Sequence, residues 1–115
     1  MALEMDQQSV HMLFVYGALL DPAECRRLLG REVEREAAHL DGFYRGRSRY
    51  FFVASRDGGR VDGAILSGLN DHDFSILDEY EEAPSLYTRE SIDAIAAGGE
   101  KVRCWIYLPT GWERG

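Results

Sequence analysis

The sequence predicts an α+β domain built on a curved, largely antiparallel sheet with two short helices. Three observations carry this. Two helix starts, Asp21-Pro22 and Asn70-Asp71, are separated and followed by strand-like segments. Those segments come in runs between single helices, the pattern of α+β rather than of a doubly wound parallel sheet. Gly63 and Gly68 interrupt one of them, a mark of the bulges, bends and close backbone approaches found in curved sheets and small barrels.

Taken in order, residues 1–11 (MALEMDQQSVH) show no period and are set aside as a flexible leader. The pair His11-Met12 is open to reading as a cloning scar, with Met12 as the native start. Residues 12–115 then form a single domain. Residues 12–16 (MLFVY) are a short apolar run that suits a buried strand, broken at Gly17. Asp21 as an acidic N-cap, Pro22 at the first helical position and Glu24 three residues after the cap start a helix over 21–29, which Gly30 stops. Segment 34–43 is a weak strand and 49–54 a strong one. Asp57-Gly58-Gly59 reads as a hairpin turn leading into a strand over 61–69. A second helix runs from Asn70-Asp71 to about Glu82, and Pro84 forbids its continuation. Strands at 87–95 and 101–108 flank the turn Ala97-Gly98-Gly99. The predicted order is β-α-β-β-β-α-β-β.

Composition excludes several classes of function. The chain has 115 residues, 45% hydrophobic and 29% charged, with 13 basic against 20 acidic side chains and a net charge of −7. Beyond Arg45, Arg47 and Arg49 there is no basic cluster, so neither nucleic acid nor an anionic membrane is an expected partner. No apolar run approaches the ~18 residues needed to span a bilayer, and no secretory signal is visible. The expected setting is cytoplasmic. Cys25 and Cys104 are far apart and each lies in a predicted regular element, as reduced core or boundary thiols do. His11, His39 and His72 are isolated, so no metal site is predicted. No GxSxG, GxGxxG or Walker loop is present.

Three places admit chemistry. On the second helix, Glu81 follows Phe74 by seven residues and Leu77 by four, so at ~100° per residue it falls within ~40° of both. A carboxylate on an apolar stripe is costly unless it serves a purpose, and desolvation raises its pKa toward that of a general base. The plainer reading is a helix-end glutamate whose head reaches water at the core's rim, and periodicity leaves both open. At the junction Tyr16-Gly17-Ala18-Leu19-Leu20, backbone N–H groups backed by a helix start suit an anion or a developing oxyanion. There Gly17 permits a tight turn or a close ligand approach, and the alternative is an ordinary strand-to-helix turn. Tyr87 and Arg89 share a strand face shortly after Glu81, and Tyr107 lies near the end of the last strand, where core or rim packing competes with ligand contact.

YGALLDP at the end of a hydrophobic strand, then VDGAIL, LDEYE, a tyrosine six residues later within YTR, and a closing CWIY together resemble the γ-glutamylcyclotransferase-like family over residues 12–108. The resemblance implies a small barrel of mixed strands flanked by helices. It implies that Tyr16, Gly17, Ala18 and Leu19 hold a glutamyl group through backbone amides. Glu81 of the LD-x-x-E pattern is implied as the acid/base, and Tyr87 and Tyr107 as pocket tyrosines. Two departures stand out: Ala18 where the family has Ser or Thr, and Glu82 where it has glycine. They bear on substrate choice more than on the base.

The implied reaction is cofactor-independent conversion of a γ-glutamyl amide to 5-oxoproline and a free amine. Its substrates would be glutathione, γ-glutamyl amino acids, γ-glutamylamines or γ-glutamyl-tagged metabolites. A non-catalytic module binding a γ-glutamyl or amino-acid ligand in the same fold is the alternative expectation.

Overall fold

Asp21, Pro22 and Gly30 bracket the first helix as backbone chemistry requires. In the computed structural model, which describes residues 11–47, 51–83 and 85–109 (backbone only at 47 and 51–55), helix α1 spans Pro22–Leu29. The Asp21 carboxylate accepts the Ala23 N–H at 3.0 Å, and Gly30 closes the helix at φ 78°. Glu24 does not share in the cap. It turns outward to pair with Arg27 at 2.7 Å. Helix α2, Asp71–Tyr80, opens on a capping box: the Asn70 side chain accepts from the Asp73 N–H, and the Asp73 carboxylate accepts from the Asn70 N–H. Arg31 neutralises the buried Asp73 at 2.8 Å.

Strands β1 (Leu13–Val15), β2 (Arg35–Arg47), β3 (Phe51–Leu66), β4 (Tyr87–Ala96) and β5 (Lys101–Pro109) close into a barrel in the order β1-β3-β2-β4-β5. Every pairing is antiparallel except β1 with β5, which is parallel through Leu13 and Trp105. This is the small mixed, largely antiparallel barrel flanked by two helices that the resemblance implies.

The middle of the chain differs from the sequence expectation, with two long strands in place of three. Asp57-Gly58-Gly59 does not reverse the chain. Residues 60–66 of β3 pair with 35–41 of β2, and 51–55 pair with 43–47, so both halves lie along the same partner. The four residues 56–59 face Gly42 alone and form a large bulge, with Gly42 and Gly58 at positive φ. Whether a glycine-rich turn reverses the chain depends on which strand its flanks pair with, and that is not local information. The reversal between β2 and β3, like the expected strand start at 49–50, lies outside the described residues, as do residues 1–10 of the leader and Pro84. His11, placed at the leader's end, is bonded to Leu69 through both its backbone carbonyl and its ring.

Side chains alternate between two cores. Phe14, Leu40, Val61, Ile65, Ile106 and Leu108 belong to a cluster without any helix residue, which is the barrel interior. Leu13, Val15, Leu66 and Tyr107 join Phe74 and Leu77 of α2 and Cys25 of α1 in the layer outside it. Gly63 shows why a glycine interrupts β3: a Cβ there would overlap the Val15 carbonyl oxygen and the Phe14 ring. Cys25 and Cys104 are buried free thiols, and burial pushes Cys104 up to about 12. Among the described residues no helix is long and apolar enough to cross a membrane.

Candidate active site

Strand directions bring the sequence-predicted residues to one end of the barrel. The ends of β1 and β5 and the start of β4 lie together, because β1 and β5 run parallel and β4 runs against β5. This end carries Tyr16 just past β1, Tyr107 near the end of β5, and Tyr87 at the start of β4. Glu81 arrives from the last turn of α2. Tyr16 feels the charge of Tyr87 and Glu81, and Tyr107 that of Glu81, so the four side chains form one electrostatic neighbourhood.

Glu81 is not the last helical residue but the cap that follows Tyr80, with backbone still in the helical region (φ −85°, ψ −1°). The periodicity therefore carries through to it and aims its side chain along the Phe74–Leu77 stripe. Burial raises its pKa from the ordinary carboxylate range to about 7. The turn beyond it is a Schellman motif: the Ala83 N–H reaches the Asp78 carbonyl at 2.9 Å and the Glu82 N–H reaches the Glu79 carbonyl at 3.1 Å. The left-handed residue such a motif requires is Glu82, at φ 57°. Among the described residues it is the one non-glycine with positive φ.

The 16–20 junction is a short 3₁₀ turn over Ala18–Leu20. The N–H groups of Leu20 and Asp21 are spent on the carbonyls of Gly17 and Ala18. Among the described residues, those of Ala18 and Leu19 have no acceptor, as the first N–H groups of a helical turn do not. Gly17 has φ −131°, so a left-handed backbone is not what calls for glycine there. Arg35 holds the Leu20 carbonyl at 2.9 Å and Arg45 the Tyr16 carbonyl at 2.9 Å, which fixes the turn from β2. Tyr16 is buried and its hydroxyl donates to the Tyr107 carbonyl at 2.7 Å. Burial, then the neighbouring Tyr87 and Glu81, raises its pKa well above the usual phenol range.

Sequence reasoning missed Asp78. Its Oδ1 accepts the Tyr107 hydroxyl at 2.5 Å and Arg89 Nε at 3.0 Å, while Oδ2 accepts Arg89 Nη2 at 3.3 Å. Arg89 lies between the rings of Phe74 (4.5 Å) and Trp105 (4.6 Å). Burial, reinforced by Asp78, keeps the Tyr107 hydroxyl protonated. Beside this network, Asp71, Phe74, Ser75, Asp78, Arg89 and Trp105 line an open cleft of about 430 Å³. The signals were Asp78's place as the Asp of the LD-x-x-E pattern and its position three residues before Glu81, on the same side of the helix. The arrangement offers a desolvated carboxylate, two tyrosine hydroxyls and unspent backbone N–H groups at one barrel end, a set suited to proton transfer on a small polar substrate.

Comparison with known proteins identifies the family. Residues 13–114 match the family model described as "Gamma-glutamyl cyclotransferase, AIG2-like". A Methanocaldococcus jannaschii protein named gamma-glutamylcyclotransferase and putative RNase is 27% identical over 92% of this chain and 49% of its own length. AIG2-like protein C of Arabidopsis thaliana is 32% identical over 88% of this chain and 60% of its own. The chain thus spans about half to three fifths of these relatives. A solution structure of an Arabidopsis thaliana protein superposes with a TM-score of 0.80 at 28% identity, covering 92% of this chain and 72% of that one. A structure titled gamma-glutamyl cyclotransferase shares the fold at a TM-score of 0.77 and 18% identity, covering 89% and 68%. With nearly the whole described barrel inside the matched span, the chain belongs to the gamma-glutamyl cyclotransferase, AIG2-like family.

Proposed function

We propose that this protein is a cyclotransferase that converts a γ-glutamyl amide to 5-oxoproline and a free amine, with Glu81 as general acid/base. The observation that carries the reading is Glu81 itself, a carboxylate desolvated to a pKa of about 7 among Tyr16, Tyr87 and Tyr107. A base poised near neutrality is what the step needs. The substrate's α-amine nitrogen attacks its own γ-carbonyl carbon, closing a five-membered ring, and Glu81 takes the amine proton. The bond from that carbon to the leaving nitrogen then breaks as Glu81 returns the proton to it. Because the nucleophile is already tethered, the protein need only hold a folded substrate. The backbone N–H groups of Ala18 and Leu19 in the Tyr16-Gly17-Ala18-Leu19 turn would grip the glutamyl group or the oxyanion, and Gly17 would allow its close approach. Tyr87 and Tyr107 would wall the pocket. The reading requires no metal or cofactor and places the protein in the cytoplasm, a setting that suits its two buried free thiols.

The test is incubation with glutathione, γ-glutamyl amino acids and γ-glutamylamines, with chromatographic detection of 5-oxoproline. Turnover of one class that Glu81→Gln abolishes supports the reading. Binding of these compounds without release of 5-oxoproline would replace it with the non-catalytic module, a reading that Ala18, which lacks the family's hydroxyl, favours.

A further inference from the structure

Each phenol has a single proton, and the structure shows where two of them go. The Tyr107 hydroxyl donates its one hydrogen bond to Asp78 Oδ1 at 2.5 Å, and the Tyr16 hydroxyl donates to the Tyr107 carbonyl at 2.7 Å. Both oxygens are left with lone pairs alone. Their neighbour Glu81, once ionised, is also an acceptor. Tyr16, Tyr107 and ionised Glu81 thus bring three acceptors and no side-chain donor of their own to this barrel end, which suits a group rich in N–H, an amine and not a carboxylate.

The residue that imposes this polarity on Tyr107 is Asp78, and it is itself held rigidly. Arg89 engages both of its oxygens, so the carboxylate cannot rotate away. The guanidinium is fixed between Phe74 and Trp105, and Arg89 stands directly opposite Tyr107 in the β4–β5 register. The Asp78 carbonyl meanwhile holds the Ala83 N–H, so the same residue anchors the turn that carries Glu81.

We propose that Asp78 is a positioning residue for the substrate's α-amine: it accepts the Tyr107 O–H hydrogen bond, so that the hydroxyl oxygen meets the amine as an acceptor beside Glu81. The proposal rests on the cyclotransferase reading for its substrate but not for its test. The amine is the nucleophile, so its orientation governs ring closure. Arg89 acts one step further out by fixing Asp78.

The test compares two probes that differ only in the amine, L-glutamate and glutarate, by calorimetric titration of the wild type, Asp78→Ala, Tyr107→Phe and the double variant. The wild type is expected to prefer L-glutamate by roughly tenfold, the scale of a hydrogen bond to a charged group. Each single variant should lower that ratio severalfold, and the double variant should lower it no further, because Asp78 acts through Tyr107. Near-ultraviolet circular dichroism reports whether each variant is folded. If Asp78→Ala does not fold, Asp78→Leu takes its place, keeping the bulk and removing the acceptor. Additive losses in the double variant, an unchanged ratio in Tyr107→Phe, or no preference in the wild type overturns the proposal. A wild type that prefers L-glutamate in this way yet makes no 5-oxoproline leaves the positioning role standing and removes the cyclotransferase reading instead.

Discussion

Glu81 and Glu82 are chain neighbours with opposite surroundings: the first is partly buried with a pKa near 7, the second is exposed and holds φ 57°. One is costly in charge and the other in backbone conformation. Both costs fall at the turn where α2 meets the candidate site, as is common where strain and desolvation serve function.

Glu81→Gln should therefore lower 5-oxoproline formation by roughly 10²–10⁴-fold while leaving the fold intact. Glu79→Gln and Glu82→Gln should each keep most activity. Steady-state rates on one responsive γ-glutamyl compound check all three, and a normal rate in Glu81→Gln would remove Glu81 as the base.

The same carboxylate should appear in the pH profile. A base works only when ionised, so kcat/KM should rise with pH through a step near 7, the raised value for Glu81. Stability should run the other way. With the folded-state pKa above the unfolded one, the native state binds the extra proton between about pH 4.5 and 7, and stability is lost as pH rises through that window. Thermal melts of wild type and Glu81→Gln should accordingly diverge as pH rises from 5 to 8, with the glutamine variant the more stable at the upper end.

Glu82→Gly is expected to stabilise the protein by roughly 0.5–1 kcal/mol, because relief of the left-handed strain exceeds the added flexibility of the unfolded chain. Glu82→Ala, with a Cβ retained, should not. Urea midpoints distinguish the two, and equal midpoints would mean that φ 57° carries no strain.

Gly63→Ala should destabilise the protein by roughly 2 kcal/mol or more, since the added methyl meets the Val15 backbone and the Phe14 ring. A variant melting within a few degrees of wild type would show that β1 can shift to make room.

What the sequence disclosed follows the range of the interaction involved. Helix α1 was legible from Asp21, Pro22 and Gly30 because caps act within one turn. Glu81 was legible because a helical period relates it to Phe74 and Leu77. The bulge at residues 56–59 was not, since its meaning depends on β2 serving both halves of β3. Asp78 stood in the LD-x-x-E pattern but its role was not legible: its partners Arg89 and Tyr107 lie 11 and 29 residues away, and only the β4–β5 register sets them side by side.

The parallel pairing of β1 with β5 has a kinetic consequence. Tyr16 and Tyr107, 91 residues apart in sequence, meet across that junction, and it joins the first described strand to the last. Loops of that span close late and slowly. A partly folded chain with α1, the β2–β3 ribbon and the β4–β5 hairpin in place would lack the Tyr16–Tyr107 bond, and with it the final arrangement of the candidate site. Ligand that needs both tyrosines can then bind only the closed barrel, so such a ligand, present during refolding, should slow reopening of this junction more than it speeds the earlier steps.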